Sequence, residues 1–372
     1  MPPHDTVRAA SSAGQPTLRI KIFVTLGAVL IGFALAEAAV RIRQYVRYGA
    51  TKTSLYDMAR DNVSGLMIPT PSQQTGSIRI DTRGFRNPEL SVPKPAGTIR
   101  LAFLGASTTF CAEVSSNAHT WPDLVTAAAR QKWSGTGFDY VNAGVPGYKL
   151  TDIQVTLDKR VAPLAPDVII FYEATNDLTK DTRLLAEAQG LVKGGPVDNP
   201  SWLAKYSAAW FLIEKNMQLR ARQQGAREAQ NRLQYDAPAL ATGYEKRLRD
   251  LVTAAQKTAR LVVLTTFTTK ARRQQTPEQL LASYNTALFY MPWMSVEGLL
   301  SGFEAYNDAL RRVARDTGAL LIEDEFSIPG DDAHFRDTVH FTDLGAQKQA
   351  DRVTRVLLAA PQMHQIASPP GK

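Results

Sequence analysis

The chain has 372 residues, 44% hydrophobic and 21% charged, a composition that excludes a wholly disordered chain, a coiled coil and a collagen-like fibre. The balance of 43 Lys+Arg against 35 Asp+Glu gives a formal +8. The basic residues are scattered, with no zinc-finger spacing, RNP-like aromatic motif or Lys/Arg run, so nucleic acid is not an expected partner.

Residues 1–18, rich in Pro, Ser, Ala and Gly, read as a disordered tail. Residues 19–41 read as a transmembrane helix or signal anchor. Within them Ile22 to Val40 (IFVTLGAVLIGFALAEAAV) carries one charge, Glu37, and about 20 apolar residues suffice to span the hydrocarbon core. Glu37 stands one turn before Arg41, a spacing that allows an ion pair at the interface. Ala34-Leu35-Ala36 also offers a signal-peptidase pattern, but the apolar run continues past it, which favours a retained anchor. Basic residues flank the helix on both sides, so charge does not orient it. Residues 42–98 read as a connecting segment packed onto the following domain, with turns at Asp81-Thr82-Arg83-Gly84 and Pro93-Lys94-Pro95.

From 99 onward short apolar runs at 99–104, 138–142, 167–172, 261–267 and 319–324 alternate with helix-like stretches at 121–132, 150–160, 243–258, 303–316 and 343–358. That alternation predicts a three-layer α/β/α domain on a five-stranded parallel sheet, spanning 99–360. Thr342 is placed to cap the last helix. Residues 178–242 interrupt the pattern as an insertion, helical from Trp202 to Leu233. It carries aromatic residues, among them Trp210 and Phe211, and a face of Arg220, Arg222, Arg227 and Arg232 that either packs beside the sheet or meets an anionic substrate. Residues 361–372 read as a second disordered tail.

In open α/β sheets ligands bind at the carboxyl ends of the strands, so chemistry is sought there. Strand one ends in Gly105-Ala106-Ser107, strand two in Asn142-Ala143-Gly144-Val145-Pro146-Gly147, and strand three in Ala174-Thr175-Asn176-Asp177. A serine at the first position can be a nucleophile, a glycine loop can present N–H groups, and the Asn176 amide can donate to a developing oxyanion. After strand five two Asp-x-x-His pairs occur, Asp331/His334 and Asp337/His340. Either acid can orient its imidazole from the same loop. The second pair is preferred because His340 immediately precedes the last helix. Cys111, the single cysteine, excludes an intrachain disulfide and reads as a small buried residue. No His-Glu-x-x-His, P-loop or Gly-x-Gly-x-x-Gly occurs, so no metal, nucleotide or other cofactor is expected.

Taken in order, LGASTTF, NAGVPG, ATND and DTVHFTDLG resemble the four signature blocks of the SGNH hydrolase superfamily, also called the GDSL esterase/lipase family. The resemblance covers about 99–358 without the insertion. An apolar helix followed by Gly84-Phe85-Arg86 is similar to a membrane-anchored bacterial subgroup. It implies the flavodoxin-like SGNH fold and a triad of Ser107, Asp337 and His340. It also implies oxyanion donors at Ser107, Gly144 and Asn176, and no cofactor. The implied activity is a serine esterase cleaving an O-acyl ester, acetyl or short acyl, of a carbohydrate or lipid. An O-acyltransferase acting on an exported polysaccharide and a non-catalytic binding protein are the alternatives. The implied location is a bacterial inner membrane, single-pass, with the catalytic domain periplasmic or otherwise extracytoplasmic. Two positions depart from the pattern: Ala106 replaces the acid of Gly-Asp-Ser, and Ala174 stands where the third block usually has glycine.

Overall fold

A computed structural model describes residues 17–48, 56–192, 201–227 and 232–368. Of the expected N-terminal tail, residues 1–16 lie outside the described residues. An apolar helix α1 (Leu18–Tyr48) comes first, with a stretch long and apolar enough to cross a membrane over Leu18–Val46. The side chains along it are almost all exposed.

The segment after α1 is more than a connector. It forms two antiparallel hairpins, β1 (Met58–Arg60) with β2 (Met67–Pro69) and β3 (Gln74–Thr75) with β4 (Ile78–Arg79). A turn follows in which buried Asp81 accepts the N–H groups of Arg83 (2.9 Å) and Phe85 (2.8 Å). Gly84 makes that turn possible. Its φ is +83°, and a Cβ there would sit 2.7 Å from Ile68 Cδ1.

The sheet begins at β5 (Thr98–Gly105), followed by α2 (Ser107–Phe110), α3 (Trp121–Lys132), β6 (Gly137–Gly144), α4 (Leu150–Thr156) and β7 (Val168–Tyr172). Then come α5 (Thr175–Ala188), α6 (Trp202–Tyr206), α7 (Ala208–Arg227), α8 (Ala237–Gln256), β8 (Leu261–Thr265), α9 (Pro277–Ser283), α10 (Asn285–Tyr290) and α11 (Val296–Thr317). The chain ends in β9 (Leu320–Ile322), α12 (Asp343–Leu357) and α13 (Pro361–Ala367). The five strands β6-β5-β7-β8-β9 pair in parallel. Every residue of β7 and β8 is buried, which is what helices on both faces demand and why these strands read as unbroken apolar runs.

Register sets the site. Gly105 pairs with both Gly144 and Tyr172, so Ser107, the loop after Gly144 and the start of α5 emerge side by side at the carboxyl edge of the sheet.

Three sequence expectations need correction. Residues 361–367 are not a disordered tail: they form α13, whose Met363, Ile366 and Ala367 are buried. The apolar spacing is there, but one short helix carries too few turns to stand out from a tail. The helix expected from 243 begins at Ala237, capped by Asp236, whose side chain accepts the Ala239 N–H at 3.0 Å. The insertion is not one helix from 202 to 233 but two, α6 and α7, with Ser207 between them. The side chains of Arg222 and Arg227 lie outside the described residues.

Candidate active site

Ser107 is the first residue of α2. Its N–H therefore has no acceptor within the helix, and its side chain stands at the end of β5. The helix is only four residues long and ends in Cys111 with φ +59°. Buried Arg86 holds this end: its guanidinium donates to the carbonyls of Phe110 (2.9 Å), Cys111 and Ser77 (2.9 Å), and to Asn117 Oδ1 at 3.0 Å. A cation on the last carbonyls of a helix satisfies groups that would otherwise be orphaned. Burial pulls the Arg86 pKa down to about 10, so it stays charged at neutral pH. Burial also pushes the Cys111 thiol up to about 12, leaving it a packing residue rather than a nucleophile.

His340 Nε2 lies 2.8 Å from Ser107 Oγ, and His340 Nδ1 lies 2.8 Å from Asp337 Oδ2. The other oxygen of Asp337 accepts the backbone N–H groups of Val339 and His340, both at 3.0 Å. The acid is thus locked by its own turn, and the imidazole by the acid. Burial alone would raise Asp337, but the facing His340 and these hydrogen bonds hold it at about 2. Burial would likewise lower His340. The carboxylates of Glu113, Asp337 and Glu173 outweigh it and raise His340 to about 9.

Asp331 and His334 form their own pair at 2.7 Å. His334 does not reach Ser107; its carbonyl instead accepts the Thr342 N–H at 2.9 Å beside the start of α12. His119 is exposed, its Nδ1 within 3.1 Å of Ser115 Oγ and 2.9 Å of Ser116 Oγ.

The glycine expected to donate to an oxyanion is misplaced. The Gly144 N–H is already given to Asn142 Oδ1 at 3.1 Å, and Gly144 is buried beneath α2, where a Cβ would meet the Phe110 nitrogen at 2.4 Å. Its smallness serves packing. Gly147, at φ +84° with open space around it, lines the pocket together with Ser107, Asn176 and His340. The Asn176 amide donates to the Tyr148 carbonyl at 2.9 Å, which fixes the side chain while the amide keeps a second hydrogen.

The pocket encloses about 340 Å³. Two of its walls carry groups that sequence reasoning missed. One is Glu113, five residues beyond Thr108, whose carboxyl is pushed up by burial although His340 draws it down. The other is α10, contributing Thr286, Ala287 and Tyr290. Buried Glu173 stands behind Asn176, accepting its N–H at 2.7 Å, and burial raises that carboxyl well above the usual range.

A serine, an imidazole and a carboxylate in hydrogen-bonded sequence beside a pocket can activate the hydroxyl for attack on an acyl carbon. The family model for GDSL-like lipase/acylhydrolase proteins matches residues 103–348. The chain belongs to the GDSL-like lipase/acylhydrolase family. Ester hydrolysis is thus its general chemistry, on the five-stranded SGNH-type sheet. No curated protein sequence matches it. Among solved structures, it is similar to LAE5, an alpha/beta hydrolase enzyme from the metagenome of Lake Arreo, Spain. Identity is 16%, TM-score 0.42, and coverage 69% of this chain and 94% of that one. It is also similar to Axe2, an acetylxylan esterase from Geobacillus stearothermophilus, at 15% identity and TM-score 0.42, over 69% of this chain and 93% of that one.

Proposed function

We propose that this member of the GDSL-like family is a membrane-anchored serine esterase that removes an acetyl or other short O-acyl group from a carbohydrate or lipid. The observation carrying the reading is the unbroken chain from Asp337 through His340 to Ser107 Oγ, with 2.8 Å at both links, opening into a pocket of about 340 Å³.

In this reading His340 takes the Ser107 proton as Oγ attacks the ester carbonyl, and Asp337 stabilises the imidazolium. The oxyanion meets the N–H groups of Ser107 and Gly147 and the Asn176 amide; one such donor is worth about 3–4 kcal/mol in the transition state. The imidazolium then returns its proton to the departing alkoxide, which leaves as the alcohol. Water, deprotonated by His340, cleaves the acyl-serine and releases the carboxylate with Ser107 restored. Helix α1 serves as a single-pass anchor in a bacterial inner membrane, with the sheet domain on the outer, periplasmic side. An ester-bearing glycan or lipid there is the partner.

The test is hydrolysis of p-nitrophenyl esters from acetyl to decanoyl by the full chain in detergent, with a serine-directed fluorophosphonate as probe. The expected result is turnover that falls with acyl length and a single adduct on Ser107. Absence of both turnover and adduct sinks the reading. Acyl transfer to an added polysaccharide that outruns hydrolysis would replace it with an O-acyltransferase.

A further inference from the structure

A carboxylate in a membrane-spanning stretch is costly and requires a partner. Glu37 has several, and all but one belong to the insertion. Its oxygens accept Ser207 Oγ (2.8 Å) and the N–H groups of Ala208 (3.1 Å) and Ala209 (2.9 Å), the opening turn of α7. Arg41 completes the joint, pairing with Glu37 at 2.5 Å and donating to the Tyr206 carbonyl at 3.1 Å. An acid on the first N–H groups of a helix satisfies orphan donors and meets the positive end of the helix dipole. The insertion is thereby clamped to the outgoing end of the apolar helix.

What the clamp leaves uncovered includes several large apolar side chains. On α6, Trp202 is 69% and Tyr206 75% exposed, with ring centroids 6.3 Å apart, and Leu203 is exposed beside them. On α7 a row of Ala209, Leu212, Ile213, Asn216 and Met217 borders a groove whose other wall is Ala36 and Val40 of α1. α1 covers only the beginning of that row: Ala209 is buried, while Ile213 and Met217 (64%) stay open. The open part is therefore continuous with a surface already bound to the membrane helix. Exposed Lys205 and Arg220 lie on the same two helices. Amphipathic Trp and Tyr with nearby basic groups match the headgroup layer, where rings and cations both find partners.

From this joint we infer that α6 and α7 form an interfacial platform seated in the lipid headgroup layer beside α1, a second membrane contact rather than a substrate-binding cap. The inference rests on α1 being a retained membrane span. Its consequence is geometric. α7 packs against α10, and α10 walls the pocket, so one helix separates the bilayer surface from the site. Among the described residues the pocket lining includes none from α6 or α7, and the exposed rings of Trp202 and Tyr206 are the ones offered to lipid.

The experiment uses the full chain in phosphatidylcholine/phosphatidylglycerol nanodiscs. The native thiol is buried and inert, so cysteines introduced one at a time can be labelled with NBD. The sites are Tyr206→Cys and Met217→Cys on the platform, Val29→Cys within α1, and Lys246→Cys, at an exposed position of α8, as the aqueous reference. Expected is loss of most NBD emission at 206, 217 and 29 when the lipids carry a doxyl nitroxide, with 246 unaffected and quenched instead by iodide. Adding Glu37→Ala should release 206 from lipid quenching and leave 29 quenched. If 29 is quenched while 206 and 217 behave like 246, the platform is refuted and the anchor survives. If 29 also escapes lipid quenching, the anchor fails and the platform with it. Protection of 206 and 217 from both quenchers would mean coverage by protein, such as a second copy, and would also overturn the inference.

Discussion

Asp331–His334 and Asp337–His340 are two copies of one local device in one loop. In each, the aspartate accepts two backbone N–H groups ahead of it, Ala333 and His334 in the first and Val339 and His340 in the second, and then the imidazole Nδ1. The matching distances agree within 0.1 Å, although Asp331 takes all three donors on Oδ1 whereas Asp337 takes the backbone on Oδ1 and the imidazole on Oδ2. The surroundings differ. Side-chain exposure is 54% for Asp331 against 25% for Asp337, and only His340 has a hydroxyl at its far nitrogen. Short sequence spacing builds an oriented imidazole; what that imidazole can do is decided by which strand end lies opposite.

The largest expected effect tests that division directly. Ser107→Ala and His340→Ala should each lower kcat by roughly 10³-fold or more, and the double variant should lose no more than either, since residues acting as one unit do not add. His334→Ala should retain most activity. Full activity in Ser107→Ala would break the comparison altogether.

The same contrast explains what the sequence could disclose. β5, β7 and β8 were legible because a strand covered on both faces must be apolar throughout, and the serine, asparagine and histidine loops follow from strand ends. The glycine that the proposed mechanism uses at the oxyanion is not legible. Gly144 and Gly147 share one motif, and only the approach of Phe110 to Gly144 tells a packing glycine from one that borders the pocket. α9 and α10 escaped notice because each is too short to show a period, yet α10 walls the pocket. Glu37 and Arg41 were legible as an i,i+4 pair, but Ser207 and the start of α7 lie some 170 positions away, beyond any local pattern.

The next effect concerns the other side of Ser107. Asn176→Ala should cost about 10²–10³ in kcat with little change in KM, because the amide is asked to act only when the carbonyl oxygen gains charge. Steady-state kinetics on a short p-nitrophenyl ester checks this. A loss confined to KM would reassign Asn176 to substrate binding.

Glu113 sharpens the comparison through pH. In the proposed mechanism His340 must be neutral to take the serine proton, and carboxylates, Glu113 foremost, raise it to about 9 against the lowering effect of burial. The rising limb of kcat/KM should therefore lie near pH 9 and flatten above it. Glu113→Gln removes one negative neighbour, lowers the His340 pKa, and should move the limb to lower pH, increasing activity near neutrality. A limb that stays in place would remove Glu113 from the electrostatics of the site.

The smallest effect belongs to the first pair. Asp331 is kept ionised chiefly by its hydrogen bond to His334, which holds its pKa below the usual carboxylate range, but the carboxylate is half in water. Exposed pairs of this kind contribute only about 0–1 kcal/mol, and in a domain of this size each kcal/mol moves Tm by about 2–4 °C. Asp331→Ala should thus lower Tm by no more than a few degrees and leave kcat within about twofold. The depressed acid fixes the sign with pH. Its contribution is present above the unfolded carboxylate pKa and lost as pH falls through the lower folded value, so parent and variant should converge in Tm under acid conditions. The same carbonyl of His334 that takes the Thr342 N–H would lie 2.0 Å from a Cβ at Gly345, so Gly345→Ala should destabilise the protein far more than Asp331→Ala. If thermal melts rank the two variants the other way, the first pair holds the loop against α12 through its side chains, and the division between a structural and a chemical imidazole must be redrawn.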